Sequence, residues 1–179
     1  MQITGGVLKS LEVISPKTDK VRPTLSKTRM GIFNTLFSII DFKSLNFLDM
    51  FSGSGIMGLE AYSRGFKEIY AVEKDFKTFE ILKKNYKNLN IKANLFKADT
   101  LKIKYLTQFD VIFLDPPYDN LELYILSLDK IIKENLLKFS GILIIELRKK
   151  YNLDYSPYFS LIKEKSYSDS KILFLKLNN

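Results

Sequence analysis

Between residues 46 and 147, short apolar runs alternate with segments whose apolar residues recur at helical spacing. The apolar runs predict buried strands, which we place at Asn46–Phe51, Glu68–Val72, Ala93–Ala98, Asp110–Leu114 and Gly141–Leu147. The helical spacing predicts helices between them, which we place at Ile56–Ser63, Phe76–Leu89 and Leu121–Leu137. Strands that alternate with helices in this way imply an α/β fold, in which helices cover both faces of a mostly parallel sheet.

Shorter segments flank this alternating region. A Gly-Gly pair and alternating apolar residues predict a small hairpin or arm over Ile3–Ile14, and the polar, basic stretch Ser15–Thr28 predicts a loop. Helical spacing returns over Arg29–Ile40. Near the end, Leu161–Tyr167 and Lys171–Leu177 predict an antiparallel hairpin. We therefore expect residues 1–179 to form a single domain in which residues 1–28 are an N-terminal arm.

The chain contains no cysteine and no histidine. Disulfides, thiolate metal sites and cysteine nucleophiles are therefore excluded, and the commonest general base and transition-metal ligand is missing. Catalysis must rely on carboxylates, Tyr, Lys, Ser, Thr or backbone groups, and we expect no metal.

The chain is basic, with a net charge of +8. This charge suits a polyanionic partner, although a composition rich in Lys and Asn from an A+T-rich genome would produce the same value. No apolar run approaches the roughly 20 residues of a membrane-spanning helix. The first residues also lack the pattern of a signal peptide. We therefore expect a cytoplasmic protein without a membrane partner.

Acidic residues stand at the ends of the predicted parallel strands. Glu73, Asp99 and Asp115 each end a strand, and Asp49 lies in the last part of the first one. Ligands of such sheets bind at the carboxyl ends of the strands, near the point where the strand order reverses. Four carboxylates at one edge therefore predict the site.

A glycine-rich turn joins the first of these strands to the next helix. Its spacing, Gly53-x-Gly55-x-x-Gly58, is that of a dinucleotide, phosphate or S-adenosylmethionine loop, and a plain tight turn has the same spacing. Asp49 favours S-adenosylmethionine, because it would repel a pyrophosphate and attract a cationic amino-acid group. The predicted cofactor-binding residues are Asp49, Phe51, Ser52, Gly53, Gly55, Glu73 and Asp99. In this set Glu73 would accept hydrogen bonds from the ribose hydroxyls, as in NAD-binding folds, and Asp99 would accept one from the adenine amine.

The motif Asp115-Pro116-Pro117-Tyr118 follows the apolar strand that ends at Leu114. Two prolines fix the backbone and remove two N–H donors, which leaves the Asp115 carboxylate and the Pro116 carbonyl as acceptors. Such acceptors would orient the two hydrogens of an exocyclic base amine, and Tyr118 would stack on a flipped-out base. We predict that these four residues form the catalytic loop.

Four segments together resemble the RsmD family of bacterial 16S ribosomal RNA guanine-N2 methyltransferases. They are Arg22-Pro23-Thr24 with Arg29 and Phe33-Asn34, the cofactor loop and helix from Asp49 to Gly65, the motif Asp115–Tyr118, and the turn Ser166–Ser170. The resemblance implies a Rossmann-like class I methyltransferase fold, with a seven-stranded sheet, a C-terminal antiparallel hairpin and a small N-terminal arm. It also implies S-adenosylmethionine as cofactor and ribosomal RNA as partner, free or within a small-subunit particle, for a chain that we expect to be monomeric.

The RNA would be held by basic residues of the entry segment, for which we name Lys9, Arg22, Lys27 and Arg29. Pairing of Arg22 and Arg29 within the fold is the alternative. The family has an acidic residue where this chain has Met30, so that a local ion pair of Arg29 would be lost. Two other functions remain open: DNA adenine-N6 methylation, which can use the same Asp-Pro-Pro-Tyr motif, and a catalytically silent RNA-binding assembly factor.

Overall fold

The computed structural model describes residues 1–16, 25–42, 44–117 and 120–178, which contain seven strands in one sheet and four helices. The strands are β1 (Asn46–Asp49), β2 (Glu68–Glu73), β3 (Asn94–Lys97), β4 (Phe109–Leu114), β5 (Leu137–Arg148), β6 (Phe159–Ser166) and β7 (Ser170–Leu177). The helices are α1 (Ser26–Phe37), α2 (Ile56–Ser63), α3 (Phe76–Asn88) and α4 (Leu121–Lys133).

The sheet has the strand order β3-β2-β1-β4-β5-β7-β6. Strands β1 to β5 are parallel, and β7 lies antiparallel between β5 and β6. The chain proceeds outward from β1 through β2 and β3 and then returns to β4 on the other side of β1. The strand order therefore reverses between β1 and β4, where such sheets bind ligands. The predicted mostly parallel sheet with a C-terminal antiparallel hairpin is confirmed.

Apolar side chains of the strands pack into two layers, one on each face of the sheet. On β4, Val111 and Phe113 pack into the layer beneath α1, α2 and α3, whereas Ile112 and Leu114 pack into the layer beneath α4. The alternation follows from strand geometry, in which successive side chains point to opposite faces. Both faces are therefore covered, which explains why the parallel strands consist of nearly continuous apolar runs.

The boundary between α4 and β5 differs from the prediction. The helix ends at Lys133 rather than at Leu137, and β5 begins at Leu137 rather than at Gly141. Asn135 adopts a left-handed conformation with φ of 51°, and the amide of Leu136 donates to the carbonyl of Ile131 at 2.9 Å. This is a common way to end a helix. Leu136 and Leu137 are apolar and buried, so their pattern suits a helix end and a strand start equally well.

The N-terminal arm is a small hairpin held by one isolated bridge between Gln2 and Glu12. Its residues Ile3 and Val13 are buried in the layer beneath α1, α2 and α3. The amide of Val7 donates to the carbonyl of Ser63, the last residue of α2, at 2.8 Å. The described part of the arm therefore packs along α2.

Among the helices that the structure describes, none combines the length and the apolar character needed to cross a bilayer.

Candidate active site

A cleft of about 1030 Å³ opens at the carboxyl ends of the parallel strands. It is lined by the loops that follow β1, β2, β3 and β4, by the end of β5 and by the β6–β7 turn. All four carboxylates singled out in the sequence, Asp49, Glu73, Asp99 and Asp115, line this cleft. The fold therefore brings these side chains together at one edge of the sheet.

The glycine-rich loop after β1 turns through two glycines with positive φ, 53° at Gly53 and 82° at Gly55. A side chain at Gly55 would also meet the ring of Tyr86 on α3, since an added Cβ would lie 2.7 Å from its Cε2 atom. A Cβ at Gly58 would collide with the Tyr86 hydroxyl and with Ile69. Gly55 and Gly58 therefore allow α2 to pack closely on α3 and β2. The glycines of this loop are therefore required both by the positive φ of the turn and by the close packing of α2 on its neighbours.

Glu73, at the end of β2, braces the same loop. One carboxylate oxygen accepts a hydrogen bond from the amide of Gly53 at 2.9 Å, and the other accepts one from the amide of Asp75 at 2.7 Å. Partial burial raises the pKa of Glu73, although these amides favour the ionised form. Each oxygen retains a further lone pair that could accept from a hydroxyl in the cleft. Glu73 thus has a structural role that the sequence did not reveal, beside its predicted contact with a ribose.

Asp49, at the end of β1, has a buried carboxylate. Its exposed fraction is 1%, and neither oxygen has a hydrogen-bond partner among the residues that the structure describes. The hydroxyl of Ser52 donates instead to the main-chain carbonyl of Asp49, at 2.9 Å. Burial, and secondly the negative charge of Glu73, raise the pKa of Asp49 to about 8, although the nearby amide of Phe51 and hydroxyl of Ser52 lower it in part. Leaving such a group unsatisfied is costly, so this position fits a ligand that brings a cationic donor.

Asp99, after β3, is held on both carboxylate oxygens. The ammonium of Lys74 lies 3.0 Å from one oxygen, and the amide of Leu101 donates to the other at 3.1 Å. Burial alone would raise the pKa of Asp99, but these hydrogen bonds and the charges of Lys74 and Lys102 lower it. Asp99 therefore presents an ionised acceptor at the rim of the cleft.

The loop after β4 carries the predicted catalytic residues. Asp115, Pro116 and Pro117 line the cleft; Pro116 is buried and Pro117 exposed. Tyr118 lies outside the described residues, so that its predicted stacking role stays a prediction. The neighbouring Tyr124 of α4 is buried, and burial, followed by the charges of Asp115 and Glu146, raises its pKa. The positive charge of Arg148, which also lines the cleft, lowers the pKa of Tyr124 in part, so Asp115 lies near both a second carboxylate and a cation.

Another side of the cleft contains residues that we did not predict as site residues, although the turn Ser166–Ser170 carries part of the family resemblance. It consists of Glu146, Leu147 and Arg148 at the end of β5, Tyr151, and the turn Tyr167–Ser170. The tight turn is closed by the amide of Tyr167, which donates to the carbonyl of Ser170 at 2.8 Å. One signal could have identified Glu146, since it is the single charged residue in the apolar run of residues 142–147.

The prediction that Arg29 contacts RNA is wrong. Its exposed fraction is 1%, and its Nε atom lies 3.0 Å from a carboxylate oxygen of Glu60, which is itself fully buried. Its guanidinium also donates to the carbonyl of Gln2 at 2.6 Å. Arg64 pairs with the second oxygen of Glu60. Arg29 therefore ties the N-terminal arm to α1 and α2, and its ion pair comes from α2 rather than from position 30.

The other predicted RNA contacts lie in different places. Lys27 is exposed in the first turn of α1, between Leu25 and Thr28, which line the cleft. Lys9 is exposed in the arm, beside the far end of α2, where the amide of Leu8 donates to the hydroxyl of Ser63 at 2.9 Å. The structure therefore places Lys27 at the cleft and Lys9 away from it. Arg22 lies outside the described residues.

Comparison with known proteins identifies the family. Residues 1–176 match the family model described as "Conserved hypothetical protein 95", which represents the RsmD family. A relative from Buchnera aphidicola subsp. Baizongia pistaciae, named "Ribosomal RNA small subunit methyltransferase D", is 32% identical over 185 residues, which cover 100% of this chain and 93% of the relative. The chain belongs to this family. A relative of the same name from Haemophilus influenzae is 31% identical and covers 93% of this chain and 88% of its own length.

Solved structures agree on the fold of this RsmD family member. The protein yhhF from Escherichia coli superposes with a TM-score of 0.86 at 22% identity, over 99% of this chain and 97% of that one. A methyltransferase from Pyrococcus furiosus superposes with a TM-score of 0.67 at 21% identity, over 86% of this chain and 84% of that one. The chain therefore has the class I methyltransferase fold that its sequence predicts.

Proposed function

We propose that this chain transfers a methyl group from S-adenosylmethionine to the exocyclic N2 amine of a guanine in 16S ribosomal RNA. One observation carries the proposal: a single cleft contains Glu73, the Asp115-Pro116-Pro117 loop, and an Asp49 carboxylate that accepts no hydrogen bond from the described residues. Asp49 and Glu73 suit a cationic nucleoside cofactor, and the loop suits a base amine. The names of the relatives, which specify ribosomal RNA of the small subunit, favour the same substrate.

The cofactor half of the cleft matches the groups that S-adenosylmethionine offers. Asp49 would hold the ammonium group, because a buried carboxylate without a donor gains most from a cationic one. Glu73 would accept from the ribose hydroxyls and Asp99 from the adenine amine. When bound, this cofactor supplies an electrophilic methyl carbon on a sulfonium, which becomes a neutral thioether when the carbon–sulfur bond breaks.

The catalytic loop would orient the acceptor amine. The Asp115 carboxylate and the Pro116 carbonyl accept the two amine hydrogens, so that the nitrogen lone pair points toward the methyl group, and orientation of this kind supplies several kcal/mol. As the new nitrogen–carbon bond forms, positive charge grows on the nitrogen. The Asp115 carboxylate then stabilises the transition state more than the ground state. The proton that leaves the nitrogen passes to Asp115 or to water. Tyr118 would stack on the base.

Cations around the mouth of the cleft would attract the RNA backbone. Lys74, Lys77 and Arg148 line the cleft, and Lys27 lies exposed beside it. With a net charge of +8, the chain favours association with phosphate groups. The proposal includes either free 16S RNA or a small-subunit particle as the substrate. It also includes action as a monomer in the cytoplasm.

The test uses purified protein, methyl-labelled S-adenosylmethionine, and 16S RNA or small subunits from cells that lack this gene. Mass spectrometry of the nucleosides should identify N2-methylguanosine. Label in N6-methyladenine, with duplex DNA as the better substrate, would instead support a DNA adenine methyltransferase. Cofactor binding without transfer to any of these substrates would support a silent assembly factor.

A further inference from the structure

One buried side chain joins the N-terminal arm to the glycine loop of the cleft. Asn85 lies on α3 and is 2% exposed. Its Oδ1 atom accepts a hydrogen bond from the amide of Ile14 at 2.9 Å, and its Nδ2 atom donates to the carbonyl of Ile14, also at 2.9 Å. Nδ2 donates in addition to the carbonyl of Ser54 at 2.9 Å. The side-chain amide thus uses both N–H groups and its oxygen to hold two segments that lie far apart in the chain.

The Ser54 carbonyl belongs to a part of the glycine loop that needs an outside contact. Ser54 stands between Gly53 and Gly55, which both have positive φ. Glycine adopts positive and negative φ about equally well, so sterics alone do not fix the direction of the peptide groups here. Glu73 holds the amide of Gly53, and Asn85 holds the carbonyl of Ser54. Asn85 therefore fixes the direction of the peptide group between Ser54 and Gly55.

The contacts at Ile14 set the end of the arm at the same cleft. Hydrogen bonds to both the amide and the carbonyl of Ile14 give Asn85 the kind of pairing that an antiparallel strand would provide. Pro16 follows two residues later, is buried and lines the cleft, as does Ser54. The preceding Val13 is buried in the layer beneath α1, α2 and α3. The position of the arm and the position of the glycine loop therefore depend on one shared side chain.

We propose that Asn85 is a positioning residue, through which the packing of the N-terminal arm and the binding of S-adenosylmethionine at the glycine loop stabilise each other. This inference rests on the proposed function and names the side chain that links the cofactor loop to the arm. Asn85 does not line the cleft, so it acts through Ser54 and Pro16 rather than on the cofactor itself. A cofactor that requires the ordered loop strengthens the contacts of Asn85. By thermodynamic linkage, a packed arm raises the cofactor affinity by the same factor.

The first experiment is a double-mutant cycle, in which calorimetry measures the affinity of the full chain for S-adenosylmethionine. Asn85→Ala removes all three hydrogen bonds. Val13→Ala loosens the arm next to Ile14 and leaves Asn85 intact. Asn88→Ala is the matched control, because Asn88 is exposed at the end of α3 and does not line the cleft.

The second experiment measures hydrogen exchange at the amide of Ile14 with and without saturating S-adenosylmethionine. This amide reports on the arm directly, since it donates to Asn85. The amide of Asn178, which donates to the carbonyl of Tyr158 at 2.9 Å away from the cleft, serves as the reference for a general gain of stability. The ratio of the two exchange rates therefore isolates the effect of the cofactor on the arm.

Asn85→Ala should weaken cofactor binding by roughly 5- to 100-fold, the usual range of coupling between two sites. Val13→Ala should weaken it by roughly 2- to 10-fold in the wild-type background. In the double variant, Val13→Ala should add little, because the route from the arm to the loop is already lost. S-adenosylmethionine should slow exchange at Ile14 in the wild type, and most of this slowing should be absent in Asn85→Ala. Asn88→Ala should behave as wild type in both experiments.

Additive losses of affinity for Val13→Ala and Asn85→Ala would overturn the inference, since Asn85 would then support the loop independently of the arm. Exchange at Ile14 that does not respond to the cofactor in the wild type would overturn it as well, and that measurement requires no variant to fold. A wild type that binds S-adenosylmethionine without this coupling would overturn the inference alone. A wild type that does not bind S-adenosylmethionine would overturn the proposed function and this inference with it. Thermal melting of each variant separates loss of folding from loss of coupling.

Discussion

The two halves of the cleft are built in different ways. The cofactor half comes from one continuous part of the chain, residues 49–99, in which Glu73 is hydrogen-bonded to the glycine loop. The acceptor half collects the start of α1, the Asp115 loop, the end of β5 and the β6–β7 turn. A ligand site formed by consecutive strand–loop units leaves a local motif in the sequence. A site assembled from distant segments appears in the sequence only as single residues, and the order of the strands decides which of them come together.

The halves also differ in their electrostatics. In the cofactor half, no described residue donates to the Asp49 carboxylate, and Asp99 is held by Lys74. In the acceptor half, Asp115 and Glu146 both act on the pKa of Tyr124, which burial raises first. The cofactor half thus offers a place for one cation, and the acceptor half contains two carboxylates that follow neighbouring strands. Substitutions in the two halves should therefore change different steps.

The largest effect is expected at Asp115. Asp115→Ala should reduce turnover by roughly 10²- to 10⁴-fold, because the amine loses an acceptor that is worth most in the transition state. Affinity for S-adenosylmethionine, measured by calorimetry, should stay close to that of the wild type. Asp129→Ala is the control, since Asp129 pairs with Lys133 on the surface of α4. Near-normal single-turnover methylation by Asp115→Ala would make the loop merely structural.

Asp49 should control cofactor binding and its pH dependence. Asp49→Asn should weaken S-adenosylmethionine binding by roughly 2–5 kcal/mol at pH 7.5, through loss of a buried charge pair. The pKa of about 8 leaves Asp49 protonated near pH 6, and a cation requires the ionised form. Affinity of the wild type should therefore rise by up to about tenfold per pH unit between pH 6 and 7.5.

The same titration predicts a change in stability. The pKa of Asp49 is raised in the folded chain, so its stabilising contribution is present at pH 4 and is lost as the pH rises toward 8. Asp49→Asn should lose less stability over this range in thermal melting. Equal pH profiles of binding for wild type and Asp49→Asn would show that Asp49 does not hold the cation.

A smaller effect is expected at Glu73. Glu73→Ala should weaken cofactor binding by roughly 1–3 kcal/mol, since the ribose hydroxyls lose a charged acceptor. Its hydrogen bonds to the amides of Gly53 and Asp75 add a loss of loop order, so the melting temperature should fall as well. Glu73→Gln retains one acceptor oxygen and should show a weaker loss. Unchanged affinity by calorimetry in both variants would remove Glu73 from the site.

The smallest effect is expected at Lys27. Lys27→Glu should raise KM for RNA a few-fold and lower the slope of log K against log salt concentration by roughly one, while cofactor affinity stays constant. Lys84→Glu, on the exposed surface of α3, is the control for net charge.

A change at Arg29 should affect stability instead. Arg29→Met should lower the melting temperature, because Glu60 loses a buried partner, and it should cause no specific RNA defect. A selective rise in KM for RNA in Arg29→Met would contradict the structural assignment.

The amino-acid sequence was sufficient to predict features that depend on residues close together in the chain. Helix α2 begins after Gly55 and ends at Ser63, where the sequence places it, because a left-handed glycine precedes it and Arg64-Gly65 follows it. The alternation of strands and helices predicted the parallel sheet. The acidic residues at the strand ends predicted one shared edge, since parallel strands must end on the same side.

Tertiary structure decided the roles of residues for which the sequence allows more than one. An arginine in the sequence can face solvent or pair with a buried carboxylate, and the sequence left both roles open for Arg29; its pairing with Glu60 decides between them. Glu146 is one charge in an apolar run, and only the alignment of β5 with β4 sets it beside Asp115. Gly55 is a predicted cofactor-binding residue and Gly58 completes the same spacing, and the structure shows that both also make room for Tyr86 of α3. The common reason is that burial and partnership depend on contacts between segments far apart in the chain, which local patterns do not encode.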